Sequence, residues 1–301
     1  MSIPGPFKRT RIAPTPSGFL HLGNIFSFIL TTALARKTGA SILLRIDDLD
    51  QLRAQDEFIQ DIFDTLNFLE LPWDEGPTNL KDFREHFSQV HRLPLYEQML
   101  QTLRTNGMLF ACQCSRSQLQ QSAPNGIYPG TCLHKGYSMD SPNMNWRLIT
   151  DRKKEFTVRH LETNTSIESL PGDMHYFVVR KKDGMPAYQL ASVADDIHFE
   201  VDLVVRGMDL YPSTLAQTYL ATQLPPNSFR DIVLYHHKLL NDENGMKLSK
   251  TAGSVSIQYL RKNGKKKKDI YALLARLTGL EPNGIADWQS FAYAFNEARN
   301  I

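Results

Sequence analysis

Residues 11–24 read Arg-Ile-Ala-Pro-Thr-Pro-Ser-Gly-Phe-Leu-His-Leu-Gly-Asn, and this stretch decides the fold. Its start predicts a short strand over 11–13, two prolines and Gly18 impose a turn, and apolar residues at helical spacing predict a helix over 21–37 that Gly39 stops. Residues 41–46 (SILLRI) form a mostly apolar run suited to a buried parallel strand, and 56–71 returns to the helical period. Strand, helix and strand in this order predict the opening of an α/β doubly wound parallel sheet. Such sheets place ligands beyond the carboxyl ends of their strands.

Beyond about residue 112 the pattern loosens into loops rich in Gly, Pro, Ser and Asn, with one strand-like stretch over 155–160, and reads as an insertion ending near Pro171. Residues 176–180 and 185–188 flank Lys181-Lys182-Asp183-Gly184, a hairpin turn signal. The α/β alternation then resumes: helix over 188–195, strand over 201–206, helix over 212–224, strand over 232–235. The tail from 257 carries helical patches and reads as a small helical appendix. No internal repeat is visible.

The composition of the 301 residues is 42% hydrophobic, 22% charged and 10% aromatic, which excludes disordered, collagenous and coiled-coil classes. No stretch approaches the roughly 20 apolar residues of a membrane span, and Pro14 and Pro16 arrive before any apolar signal core, so a cytoplasmic protein is expected. A net charge of +2 gives no global field for nucleic acid, and local clusters must carry any such contact. Arg152-Lys153-Lys154, Lys181-Lys182 and 265–268 are the candidates for phosphate contact, although charge runs are more often solvated faces. The three cysteines all lie within 112–132, an odd number that points to metal rather than to a disulfide framework.

Two segments carry chemistry. In the first, Gly18 and Gly23 let backbone approach a ligand, His21 can donate to phosphate oxygens, and the helix N-terminus favours negative charge, although a plain Pro/Gly turn would look similar. In the second, Met246-Lys247-Leu248-Ser249-Lys250, two lysines flanking a serine can stabilise a triphosphate while pyrophosphate leaves. A solvated basic loop would also read this way. The pair is more informative than either member.

Together these motifs, with Arg45 to Asp50 (RIDDLD), Asp195-Asp196 and Val205-Arg206-Gly207 in the same order, resemble the glutamyl branch of class I aminoacyl-tRNA synthetases over roughly residues 9 to 252. About fifty residues follow the lysine loop, where that branch ordinarily has a long anticodon-binding region, so the resemblance is greatest to its truncated paralogues that join glutamate to queuosine in tRNA(Asp). The resemblance implies four parts: 1–108, the first half of a Rossmann-like catalytic domain; 109–187, an inserted zinc-binding α+β module; 188–240, the second half; and 241–301, the lysine loop and helical appendix. It implies ATP-dependent activation of glutamate without tRNA, then transfer to queuosine in the anticodon loop, by a monomer that uses ATP with magnesium as substrate. A truncated synthetase charging the tRNA 3′ end and a catalytically silent tRNA-binding paralogue are the alternatives.

Residue roles implied by the resemblance are specific. His21, Lys247 and Lys250 are catalytic; His21, Gly23, Lys247, Ser249 and Lys250 bind ATP; and Arg11, Ala13, Thr15, Asp47, Tyr188 and Arg206 bind glutamate. Separated arginines can each engage one of glutamate's two carboxylates. Arg206 is equally readable as a strand-end partner of Asp195 or Asp196. Cys112, Cys114, Tyr128 and Cys132 are implied as ligands of a structural zinc; chemistry alone would prefer the imidazole of His134 to a neutral phenol as the fourth donor. Three positions depart from the family pattern. Asp47 stands where the family has Glu to meet the substrate ammonium, and Asn24 and Leu248 replace a His and a Met. Asp50 also reads as a cap for the helix that follows.

Overall fold

The parallel pair expected at the start forms: β1 (Arg9–Ile12) runs beside β2 (Ser41–Leu44), with Arg9 opposite Ser41 and Ile12 opposite Leu44. The computed structural model describes residues 5–122, 126–240 and 256–299. Between the two strands runs the helix Leu22–Thr38, closed by Gly39 at φ +80°, whose N–H bonds to the Ala35 carbonyl. That left-handed conformation costs a glycine little. The other described strands are β3 (Leu109–Cys112), β4 (Asn145–Leu148), β5 (Glu155–His160), β6 (Asn164–Ser169), β7 (Val178–Arg180), β8 (Leu203–Gly207) and β9 (Val233–His237).

The chain divides into two compact units. The first comprises Met1–His91, Leu203–Met208 and Tyr235–Ile301. In it β8 lies beside β1, and the apolar side chains of β1, β2 and the helix Leu22–Thr38 are buried, Ile12, Ile25, Ile29, Ile42 and Leu44 almost completely. The helix Asp56–Phe68 buries Ile59, Ile62, Phe63 and Leu66 on one face. Its N-cap is Gln55, without a side-chain bond, so Asp50 does not cap it; Asp50 instead sits 3.6 Å from Arg53. The C-terminal helices belong to this unit as structural members: Phe291 and Phe295 pack edge-on against Phe26, and the Tyr271 hydroxyl donates to Leu69 O at 2.7 Å.

The second unit comprises Arg92–Asp202 and Asp209–Leu234. It holds an antiparallel sheet in the order β3-β4-β7, an antiparallel β5–β6 hairpin, and a parallel pairing of β5 with β9 at Arg159 and Val233. The sheets are therefore mixed. The helices Leu93–Thr105, Tyr188–His198 and Tyr211–Gln223 bury Tyr96, Leu190 and Tyr219 among them. The stretch expected to be mostly loop thus contains β4 and β6 as well as β5. β6 (NTSIES) is an exposed, polar strand without the alternation that betrays a strand. The hairpin turn at 181–184 forms, with Lys181 N donating to Met185 O, but its second arm shrinks to one bridge at Pro186, which lacks an N–H, before the helix starts at Tyr188. No described helix is long and apolar enough to cross a membrane.

Candidate active site and metal centre

In the first unit the backbone extends the β1–β2 pairing past both strands. Arg45 N donates to Ile12 O and Asp47 N to Pro14 O, each at 2.9 Å, so the loop carrying Ala13 and Thr15 is held alongside Asp47. Arg11, on β1, is buried, and its Nη1 donates to Val205 O on β8 at 3.4 Å, next to the buried Arg206. Arg11, Ala13, Thr15, Asp47 and Arg206 therefore share one unit at strand ends. Tyr188 opens the helix Tyr188–His198 of the second unit and is 45% exposed.

Asp47 does not present a bare carboxylate. Arg45 Nε donates to its Oδ1 at 2.8 Å and Arg45 Nη2 to its Oδ2 at 3.1 Å, with side-chain exposures of 3% for Arg45 and 10% for Asp47. A buried guanidinium fork fixes both the direction and the charge of that carboxylate. Its neighbour Asp48 is buried and structural: it accepts from Ser88 Oγ at 2.6 Å and from Gln89 N at 2.8 Å, while Gln89 Oε1 accepts from Leu49 N. The adjacent Asp47 and Asp48 of RIDDLD thus face different tasks.

His21 is the N-cap of the helix Leu22–Thr38. Its Nδ1 accepts from Gly23 N at 3.1 Å, and its own N–H donates to Asn24 Oδ1 at 3.0 Å, a reciprocal cap. An Nδ1 that accepts leaves Nε2 as the protonated, donating nitrogen of the neutral ring. A Cβ at Gly23 would lie 3.0 Å from His21 Cε1, so a larger residue there would push against the capping ring. Asn24, which replaces a histidine of the class motif, supplies the second half of the cap. Ser256 pairs with His21 through a β-bridge, and Ile257 N donates to Leu20 O at 2.8 Å, so the chain returns to the first motif soon after the second. Lys247, Ser249 and Lys250 themselves lie outside the described residues.

The three cysteines converge in the second unit, with Sγ atoms of Cys112, Cys114 and Cys132 all within 4.8 Å of one another. Cys112 closes β3, which places it beside Cys114 on the chain, while a turn at 131–134 returns Cys132. Tyr128 joins them: its hydroxyl lies 3.4 Å from Cys112 Sγ and accepts from Cys132 N at 3.0 Å. His134 is exposed and is not part of the cluster. Four thiolate-type ligands at about 2.3 Å in a tetrahedron stand roughly 3.8 Å apart, and the Cys114–Cys132 separation is 3.6 Å, so the residues fit a zinc-sized ion. Burial, together with the neighbouring sulfurs, pushes the Cys114 thiol up to about 12. Burial works against ionisation of Cys112 too, but the Tyr128 hydroxyl and Arg147 outweigh it and lower that thiol. The guanidinium of Arg147 stacks 3.9 Å from the Tyr128 ring centroid.

Sequence reasoning missed the partners. Asp195 is fully buried and accepts from Arg92, at 2.7 and 3.2 Å, and from the Tyr96 hydroxyl at 2.8 Å. Burial and the Asp195 charge raise the Tyr96 hydroxyl well above the ordinary phenol range, so it remains a donor. Nothing in the spacing of Arg92, Tyr96 and Asp195 signals this network. Only the doublet Asp195-Asp196 in an apolar helical run hints that an acid there is buried.

A glutamate tRNA ligase from Elizabethkingia meningosepticum, solved with its amino acid, superposes with a TM-score of 0.73 over 96% of this chain at 18% identity, a likeness of fold alone. The chain spans 64% of that ligase's length. The architecture is thus the class I synthetase fold with mixed α/β sheets. The family model described as tRNA synthetases class I (E and Q), catalytic domain, matches residues 8–291, and the chain belongs to that family of ligases. Among curated relatives, the Glutamyl-Q tRNA(Asp) synthetase of Nocardia farcinica is 36% identical over 286 residues, covering 90% of this chain and 85% of that protein. The protein of the same name from Prochlorococcus marinus is 36% identical over 284 residues, covering 92% and 83%.

Proposed function

We propose that the protein activates glutamate with ATP in the absence of tRNA and passes the glutamyl group to a hydroxyl of queuosine in the anticodon loop of tRNA(Asp). The observation that carries this reading is the joining in one unit of Arg11, Asp47 and Arg206 with a histidine-capped helix N-terminus. The names of the relatives support the choice of acceptor.

In the first step the α-carboxylate of glutamate attacks the α-phosphorus of ATP, and glutamyl-adenylate and pyrophosphate form. Arg11 and Arg206 each hold one carboxylate, Ala13 and Thr15 line the same unit's amino-acid site, and Asp47, steered by Arg45, meets the ammonium. His21 Nε2–H and the helix N-terminus face the phosphates with fixed positive potential, and Gly23 allows their close approach. Lys247, Ser249 and Lys250 hold the departing pyrophosphate, a purely electrostatic role. ATP enters with magnesium as its counter-ion. In the second step a queuosine hydroxyl attacks the activated carbonyl, its proton is lost and AMP leaves. No side chain becomes covalently attached.

Cys112, Cys114, Cys132 and Tyr128 would hold a structural zinc that ties β3 to the loop at 128–132. On this reading 109–187 is the inserted module, 1–108 and 188–240 are the halves of the catalytic domain, and 241–301 is the lysine loop with its appendix. The protein works as a monomer in the cytoplasm, where tRNA is found. The decisive experiment is glutamate-dependent exchange of labelled pyrophosphate into ATP without tRNA. Transfer is then tested with tRNA(Asp) trimmed of its 3′-terminal adenosine: label is accepted when queuosine is present and refused when it is absent. Acceptance by the intact 3′ end alone would instead make the protein a truncated glutamyl-tRNA synthetase, and absence of exchange a silent paralogue.

A further inference from the structure

The segment Arg261-Lys-Asn-Gly-Lys-Lys-Lys-Lys268 has no part in the chemistry above, yet it concentrates six cations in eight residues. The short helix Ile257–Lys262 ends in a turn at Gly264 and is followed by the helix Lys267–Leu277. Two of the cations are turned inward. Arg261 pairs with Asp61 and reaches Asp64, and Lys267 Nζ lies 2.6 Å from Glu70 Oε2. The other four, Lys262, Lys265, Lys266 and Lys268, are exposed and have no ion-pair partner among the described residues. The nearest acid along the chain, Asp269, is committed to capping, its carboxylate accepting from Lys266 N at 2.8 Å.

This arrangement is unfavourable by itself. Lys266, Lys267 and Lys268 sit at the N-terminal end of an 11-residue helix, where the macrodipole is positive and each cation costs about 0.3–1 kcal/mol rather than contributing it. Like charges within one turn repel further. A polyanion would offset both terms. A second feature narrows the class of polyanion: Tyr259 is 57% exposed and stands three residues before Lys262, so ring and ammonium share one helical face. Cations interleaved with an exposed aromatic ring suit a nucleic acid, whose phosphates take the charges and whose unpaired bases take the ring.

We infer that Tyr259, Lys262, Lys265, Lys266 and Lys268, none of which is assigned to the amino-acid or ATP site, form an RNA-backbone contact surface. The inference rests on the proposed tRNA substrate and assigns a surface to it. The test compares the full chain with the K262A/K265A/K266A/K268A variant in filter binding to queuosine-bearing tRNA(Asp) between 50 and 200 mM salt. Each phosphate contact contributes roughly 0.7–0.9 to the slope of log K against log salt, so loss of four contacts flattens it by about 3. Across that salt range the wild type then loses roughly 50- to 150-fold more affinity than the variant. The Tyr259→Leu variant weakens binding without changing the slope.

Glutamate-dependent pyrophosphate exchange without tRNA is unchanged in all variants, and it reports separately on the proposed function. Wild-type exchange with a slope altered by less than one contact overturns the surface and leaves the catalytic reading standing. Patch-dependent tRNA binding without any exchange does the reverse. Patch-dependent binding to phosphatidylserine vesicles with unaltered tRNA binding overturns the inference in favour of a membrane surface. If the alanine variant melts below the wild type, glutamines at the same four positions replace it and the same slopes decide.

Discussion

Replacing Asp47 separates two tasks that the structure places on one carboxylate. Removing one member of a buried ion pair typically costs about 3–5 kcal/mol, because the other charge is left in a poorly solvated site. Arg45, at 3% side-chain exposure, is such a survivor, so Asp47→Ala is expected to lower the melting temperature by roughly 6–20 °C. Asp47→Asn keeps one acceptor for Arg45 and should lose less stability. In catalysis, however, Asn removes the charge that meets the glutamate ammonium. A hydrogen bond to a charged group contributes about 1.5–3 kcal/mol, so kcat/KM for glutamate in pyrophosphate exchange should fall roughly 10- to 150-fold while the KM for ATP stays within about threefold. Asp47→Glu keeps the charge with one more methylene of reach and should retain exchange. The double replacement Arg45→Met with Asp47→Leu fills the site with apolar groups, and is expected to recover most of the stability but none of the exchange. The refuting results are an Asn variant that leaves glutamate use intact while Glu abolishes it, or an active double variant. Either result would mean that the ammonium is met elsewhere.

Three further outcomes follow from other parts of the molecule. Lys250→Ala should reduce adenylate formation about 100- to 1000-fold without lowering the melting temperature, and activity within twofold of wild type would remove the lysine motif from the mechanism. Protein purified without chelator should carry close to one zinc per chain, and Cys114→Ser should lose it together with order around Cys132; a metal-free wild type of equal stability would make the cysteines ordinary buried thiols. Arg92→Met removes the guanidinium from the buried Asp195 carboxylate and should cost about 3–5 kcal/mol, measured by chemical denaturation; a cost below about 1 kcal/mol would show that the pair is not desolvated in solution.

The elements that sequence pattern revealed are those whose pattern has one dominant physical cause. The strand Ser41–Leu44, within the expected run 41–46, was legible because both its faces are buried, and the helix after His21 because Gly39 ends it in a conformation suited to glycine. β6 was not, because an exposed strand is specified by its pairing with β5 and not by its own hydrophobicity. The fourth member of the cysteine cluster shows a different limit. Ligand chemistry alone favours His134 and the family resemblance names Tyr128; in the folded chain His134 is exposed and the tyrosine hydroxyl lies 3.4 Å from Cys112 Sγ. Likewise the sequence marks Asp47 as a departure from the family, while Arg45, two residues away in plain view, becomes its partner only once Asp47 is bound back to Pro14.

The bridge between His21 and Ser256 has a consequence for synthesis. The histidine-capped helix start emerges early from the ribosome, but the strand partner of its first residue is translated more than two hundred residues later, and β8, the neighbour of β1, comes not long before that. At about 5–20 residues per second the first motif waits roughly 10–50 s for its complement. During that interval β1 and β2 carry an apolar flank that β8 has yet to cover. Both segments of the second unit lie within the gap, so every residue of that unit has been synthesised before the partner of His21 arrives to close the site that is proposed to bind glutamate and ATP.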